Sequence, residues 1–583
     1  MRILNNNLYK HGLVVAFFAF FAQLFYYPSI SGKKLLQSDI VQYSGMSRQI
    51  KEYRSQNDGK EAYWIDNAFG GMPTYQLGAK YPADFLGIIH GVFKILPRPA
   101  YILFLYLFSS YILFLVLKLD WKIALFGSFA FGLSTYLLII LQVGHNTKAM
   151  ALSYMPFAIA GLFLLLDKRW LSGFIISLLG IGLNIRANHY QMSYYLLIFL
   201  FILVIVYSID AYRKNNLKSH LKSITLFALS GFLAIGLNAT PILATSEYSK
   251  FSIRNGSELK LNFDGSKKTE SNGLDYNYIT EYSYGIFESL SLIIPRIQGG
   301  GSRENLGSDS ELYEFLVKRG VSIKQSNDFV SYVPTYWGSQ PILEAPAYIG
   351  IVVFIFALFA IISLKGPLRN SLLIASILSL ILSWGKNFSI LTDFFIYNVP
   401  FYNKFRAVSS IQVILELCIP ILAVLGLQRL LSDPNKYFKT FTKVTIGLIV
   451  FLSSFFLFKG LGMISFNSPI DSRLIDAYGQ DLMDQILMAR VMIFNDDILR
   501  GIILLLSILF VFTLYKAKKI KKNIAITLFI GILIYDLGGI ANRYLDWDRF
   551  VNKSKAEAPF SITNGDKTIL NDVSRYRVYE PAL

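Results

Sequence analysis

The residues in this sequence with the clearest capacity for chemistry sit beside its apolar runs. Asp39 lies in Gln37-Ser38-Asp39-Ile40-Val41-Gln42-Tyr43, shortly after the first such run. Two roles are open to it. Ser38 or Asp39 can cap an amphipathic helix continuing through Met46, Ile50 and Tyr53, because a short side-chain oxygen accepts from the free amides of a first turn. Alternatively Asp39 is a general base, removing a proton from a hydroxyl as that oxygen attacks an electrophilic carbon. Two short connections add Gly144-His145-Asn146-Thr147-Lys148 and Arg186-Ala187-Asn188-His189-Tyr190-Gln191. Each holds a histidine, an asparagine and a cation, groups that are costly at membrane depth unless they line a cavity. With Lys404 and Arg406 of Pro400-Phe401-Tyr402-Asn403-Lys404-Phe405-Arg406, His145, Lys148, Arg186 and His189 form a pool able to neutralise a phosphate. Arginine would do so as a planar fork and lysine as a point charge.

Around these lie groups suited to a sugar. Trp64 and Asn67 precede Gly70-Gly71-Met72-Pro73-Thr74-Tyr75, and Asn146, Glu247, Glu281 and Trp337 come from later polar segments. An aromatic face and a carboxamide suit a pyranose; the competing reading of the 64–75 stretch is a turn with an interfacial aromatic anchor. No metal is assigned: a zinc site on His145 and His189 lacks a third ligand nearby in sequence, and a divalent ion is left without support. Cys418 is the only cysteine, which excludes an internal disulfide and a cysteine metal cluster. Glu416 and Asp536 fall inside apolar runs and are candidates by cost alone, Asp536 also reading as a carboxylate hydrogen-bonded within the bundle.

These residues need elements to hold them, and the composition fixes their kind. Of 583 residues 54% are hydrophobic and 16% charged, too few charges for a soluble surface, which uses about a quarter. An ordinary soluble enzyme, a disordered chain and a disulfide-stapled secreted domain are excluded. The reading is an all-α polytopic membrane protein of about 13 transmembrane helices, counted as apolar runs near 20 residues, with α-rich or mixed loops. The domains are 1–30, the first transmembrane helix; 31–98, a first periplasmic loop holding Asp39; 99–243, helices 2–7; 244–345, a large periplasmic loop; 346–541, helices 8–13 with a loop at 461–498; and 542–583, a periplasmic tail. The net charge of +18 would point to nucleic acid in a soluble protein. Here the basic residues fall in alternate short connections (Lys118 and Lys122, Lys168 and Arg169, Arg213 to Lys222, Lys365 and Arg369, Arg429 to Lys443, Lys516 to Lys522), so the charge reads as topology and no nucleic acid is expected. By the positive-inside rule the N-terminus is cytoplasmic, the C-terminus periplasmic and the location a bacterial cytoplasmic (inner) membrane. No Gly-rich phosphate loop occurs in the cytoplasmic connections, so an enzyme of this layout draws its activated substrate from the membrane.

Taken in order, Gln37–Tyr43, Gly70–Tyr75, Gly144–Lys148, Asn188–Gln191 and Phe401–Arg406 resemble the YfhO-like family of bacterial membrane proteins, over nearly the whole chain. That family is similar to the GT-C superfamily of polyprenyl-phosphate-sugar-dependent glycosyltransferases. The resemblance implies a GT-C-like fold with a catalytic carboxylate in the first outer loop, matched here by Asp39. The implied donor is a polyprenyl-phosphate-linked sugar, with membrane lipids and an envelope protein as further partners. It also implies a soluble domain after the last span, of which Ser574-Arg575-Tyr576-Arg577-Val578 resembles the start. Two other readings remain: a lipid-linked glycan transporter or flippase, and a non-catalytic membrane subunit of an envelope or secretion complex.

Overall fold

A computed structural model describes residues 2–256, 259, 261, 264–266, 272–574, 576 and 578. About 70% of the chain is helical, so the all-α membrane reading holds. All the long apolar runs become helices because they combine strong helix formers with no alternative way to satisfy backbone polar groups in lipid. The count of about 13 crossings is corrected. Among the described residues eight helices are long and apolar enough to cross a membrane, or up to ten if each of two bent pairs counts once. Trp121–Gly132 and Thr135–Val143 meet at 46°, and Pro367–Ser383 and Gly385–Asn398 at 114°. Ala100–Val116, Trp170–Arg186 and Ile351–Ser363 are shorter apolar helices. Composition marks apolarity, but a crossing also needs length: the 13 residues of Ile351–Ser363 rise about 20 Å, against a hydrocarbon layer of about 30 Å.

Two helices form the middle of the bundle: the spans Asn146–Leu166 and Val408–Ser432 are 83% and 89% buried. Small residues let neighbours approach them. A Cβ on Gly180 would run into the backbone nitrogen of Ala158, and one on Gly161 into that of Ser177, the close contact that glycine makes available in membrane helices. At the rim, only 17% of the Leu8–Phe25 span is buried.

Contacts between connections sort them to two ends. At one end the basic connections meet: Lys118 pairs with Asp167 at 2.7 Å, Lys222 lies 4.7 Å over Trp170, and Tyr515 donates to the Leu431 carbonyl at 3.4 Å. At the other end the long polar segments meet. Ser38 reaches the Val143 carbonyl, Gln76 reaches Asn188 and Thr245, and Lys34–Leu35 pairs antiparallel with Phe550–Val551. A second short ladder joins Trp64–Ile65 to Met72–Pro73.

Above this second end sits a helical cap. Gln480–Lys516 runs for 37 residues, about 55 Å, so it continues well past a membrane thickness. Its first turns pack Leu482, Met483 and Ile486 against Leu312, Leu316 and Val330 of the helices Glu311–Lys318 and Ile323–Val330, and against Val333 just beyond them.

Candidate functional site

The site begins with a turn. Thr135–Val143 ends on Gly144, whose φ of +105° is the left-handed C-cap conformation, and the chain re-enters a helix at Asn146. A Cβ on Gly144 would lie 3.1 Å from the Cβ atoms of both Gln37 and Asp39, so glycine also lets the first loop seat on this turn. Gln37 exchanges hydrogen bonds with the Asn146 carboxamide at 3.1 and 3.3 Å and donates to the Leu141 carbonyl. The capping reading of Ser38 and Asp39 does not hold. The helix Ser38–Met46 has Gln37 as its N-cap with no side-chain cap bond, Ser38 donates to Val143, and a second helix, Arg48–Gln56, starts after Ser47. Asp39 Oδ2 instead lies 3.0 Å from His145 Nε2, both side chains about half exposed. That leaves a carboxylate held by an imidazole and open to an incoming hydroxyl.

One helical turn on from His145, Lys148 is buried, at 8% exposure. Its ammonium donates to Tyr136 Oη at 2.8 Å and Ser410 Oγ at 3.1 Å, with the Tyr136 ring centroid 5.4 Å away. It makes no ion pair with a described residue. A buried cation held only by hydroxyls and a ring is under-compensated. Beside it His189, on the turn before Tyr190–Arg213, has a buried Nδ1 with no hydrogen-bond partner among the described residues. Burial, then the charge of Lys148, pushes His189 down to about 3, so the ring is neutral and can either donate or accept.

The other cations divide. Gln191 donates to the Arg406 carbonyl at 2.7 Å and Tyr194 to the Pro400 carbonyl at 2.8 Å, which joins the His189 turn to the 400–406 loop. Arg406 donates to Tyr278 Oη at 2.9 Å and stacks on its ring, Lys404 donates to the Asn272 carbonyl, and Arg254 donates to the Lys404 carbonyl. His189 feels the charges of Lys148, His145 and Arg254, so His145, Lys148, His189 and Arg254 share one neighbourhood, with Lys404 and Arg406 on its flank. Arg186 belongs elsewhere: it grips Asp84 through Nε, at 2.7 and 3.0 Å, and through Nη2, and holds that carboxyl below its usual range. Tyr136, Ser410 and Asp84 carry no motif; their only signal is the spatial partner each meets.

Among the sugar candidates, Asn146 lies in the site through Gln37. Trp64 is 57% exposed and packs across Gly71, Asn67 donates to the Gly45 and Met46 carbonyls, and the Tyr75 ring lies 6.4 Å from Tyr63. Glu247 and Glu281 are exposed. Trp337 is buried in the cap against Phe466, with the Arg490 guanidinium 5.9 Å from its centroid. Cavities of about 500 and 630 Å³ open in the cap, and none of these selected residues lines them. Inside the bundle, Asp536 accepts from Tyr348 and Arg500 at 2.6 and 2.8 Å, and Glu416 accepts from Ser134. Among the described residues no three His, Cys, Asp or Glu side chains gather to hold a metal ion.

Comparison with family models, curated proteins and solved structures finds no match to this chain. The functional reading therefore rests on the arrangement of its own residues.

Proposed function

We propose that this chain is a membrane glycosyltransferase. It moves a sugar from a polyprenyl-phosphate-linked donor to a cell-envelope acceptor, at the Asp39 end of the bundle and on the periplasmic face of a bacterial cytoplasmic membrane. The observation that carries this reading is the buried, unpaired Lys148 ammonium beside the Asp39–His145 pair. A phosphate supplies the missing counter-charge, and a carboxylate next to it supplies the base. In the step itself the acceptor oxygen forms a bond to the anomeric carbon and gives its proton to Asp39. The bond from that carbon to the phosphate oxygen breaks, with the electron pair leaving on the phosphate. Lys148 and a donating His189 stabilise the departing anion, the larger electrostatic contribution in such reactions. His145 is a positioning residue that holds Asp39 aimed.

A lipid-linked glycan transporter is the second reading, favoured by the two broken helices at 46° and 114°, since transporters place substrates at discontinuous helices. One experiment separates the two. Asp39→Asn keeps the shape and loses the base, so transfer from a purified polyprenyl-phosphate sugar in detergent should fall roughly 10²- to 10⁴-fold at equal folded protein, with donor binding little changed. Full transfer by the variant would overturn the general-base assignment.

A further inference from the structure

The short helix Phe85–Val92 has a different environment from the rest of the first loop. Its buried face is fixed to the bundle. Leu86 packs where Gly182 leaves room, and a Cβ on Gly182 would also reach Ala234. His90 Nδ1 lies 2.6 Å from Tyr154 Oη. Tyr154 is eight residues into the helix Asn146–Leu166, about 12 Å along its axis. The short helix is therefore held below the end of the bundle, level with the first turns of a membrane span. Its opposite face is bare and apolar: Phe85, Ile88, Val92 and, just beyond, Ile95 are 64%, 73%, 64% and 80% exposed. Helical spacing puts the first three on one stripe, the pattern of a helix lying in a membrane surface.

Cations border this stripe. Lys94 and Arg98 are exposed and make no hydrogen bond or ion pair with described residues. Lys94 feels the charges of Arg186 and Arg98 as well as that of Asp84, and so does His90, which burial and these cations push down to about 4. Among the described residues the acidic group acting on both is Asp84, which the Arg186 fork already neutralises, so Lys94 and Arg98 are left as net positive charge. Exposed apolar side chains at membrane depth beside two unpaired cations fit one occupant, a lipid with an apolar tail and an anionic phosphate.

We propose that the Phe85–Ile95 surface is a binding site for an anionic phospholipid, its phosphate between Lys94, Arg98 and the outer edge of Arg186, its chains along Phe85, Ile88, Val92 and Ile95. The site is separate from the Lys148 centre and stands whether or not the chain transfers a sugar. Removing each free cation should weaken binding about fivefold, the usual contribution of one basic residue at an anionic surface, and raising salt should weaken it further.

The test uses the full chain in a neutral detergent, with bound lipid counted by native mass spectrometry. The probes are dihexanoyl phosphatidylglycerol, dihexanoyl phosphatidylcholine and glycerol 1-phosphate, each below its micelle concentration. The expected result is a phosphatidylglycerol adduct that falls roughly 25-fold in Lys94→Ala/Arg98→Ala and clearly in Ile88→Ser/Ile95→Ser. Both pairs are exposed, so folding is preserved, and the melting temperature of each variant checks this. Equal retention of the choline lipid would overturn charge recognition. Equal retention of glycerol 1-phosphate would show a free-phosphate site and overturn the lipid assignment. An unchanged adduct in Lys94→Ala/Arg98→Ala would move the lipid elsewhere.

Discussion

Two regions of this molecule bury charge, and they do it in opposite ways. In the cap every buried cation has its acid. Arg490 meets Asp471 through two 2.8 Å bonds and also donates to the Phe466, Pro334 and Thr335 carbonyls. Arg296 meets Asp497 at 2.6 Å, with Glu304 at 3.8 Å on its other side. At the Asp39 end, Lys148 is buried among hydroxyls and His189 keeps an orphaned nitrogen. A closed network such as that of Arg490 holds loops in register and leaves nothing for a ligand. The second kind leaves electrostatic demand unmet, and that demand marks a site more reliably than the number of charged residues does.

This contrast can be broken at its strongest point first. Arg490→Met strands the Asp471 carboxylate in the cap and should cost about 3–5 kcal/mol of stability, read as a fall in melting temperature in detergent. Arg490→Met/Asp471→Leu should recover much of that loss, and transfer per folded molecule should change little in either. Lys148→Met is the mirror test. With no acid to strand, it should leave the melting temperature unchanged or higher, while affinity for a polyprenyl phosphate falls roughly 10- to 100-fold, the loss of one or two charge-assisted contacts. A large drop in stability would place Lys148 with the cap arginines as scaffold.

The smallest effect is a pH dependence. His189 takes a proton near 6.5 when unfolded and near 3 when folded, so the unfolded chain binds more protons between those values. The stabilisation from a neutral His189 is therefore complete above pH 6.5 and is lost as pH falls toward 3. His189→Gln should flatten that part of the acid profile. Lys148→Met should shift it upward, because one of the charges that depress His189 is gone.

Much of this was legible in the residues. Apolar runs declared the helices because backbone groups in lipid leave few other choices. The alternation of basic and long polar connections sorted them to two ends, and the break at Gly144-His145 lay where a left-handed glycine ends one helix. Asp39 was visible as the carboxylate nearest the end of the first run.

The rest was decided in three dimensions. Composition does not report helix length against bilayer thickness, so about 13 apolar runs became, among the described residues, eight full-length spans, or up to ten with the bent pairs. Whether Asp39 capped a helix or met His145 depended on a partner 106 positions away in sequence, seen only when the first loop seated on the Gly144 turn. The pool of cations looked uniform in sequence. Folding gave Arg186 its acid from 102 residues away and left Lys148 with Tyr136 and Ser410, the latter 262 residues distant. Trp337, chosen as a sugar platform, was taken into the cap by Phe466 and Arg490. The physical reason is the same in each case: residue type sets what a group can do, but burial and the charge of its neighbours set what it is free to do, and both are fixed by contacts between distant parts of the chain.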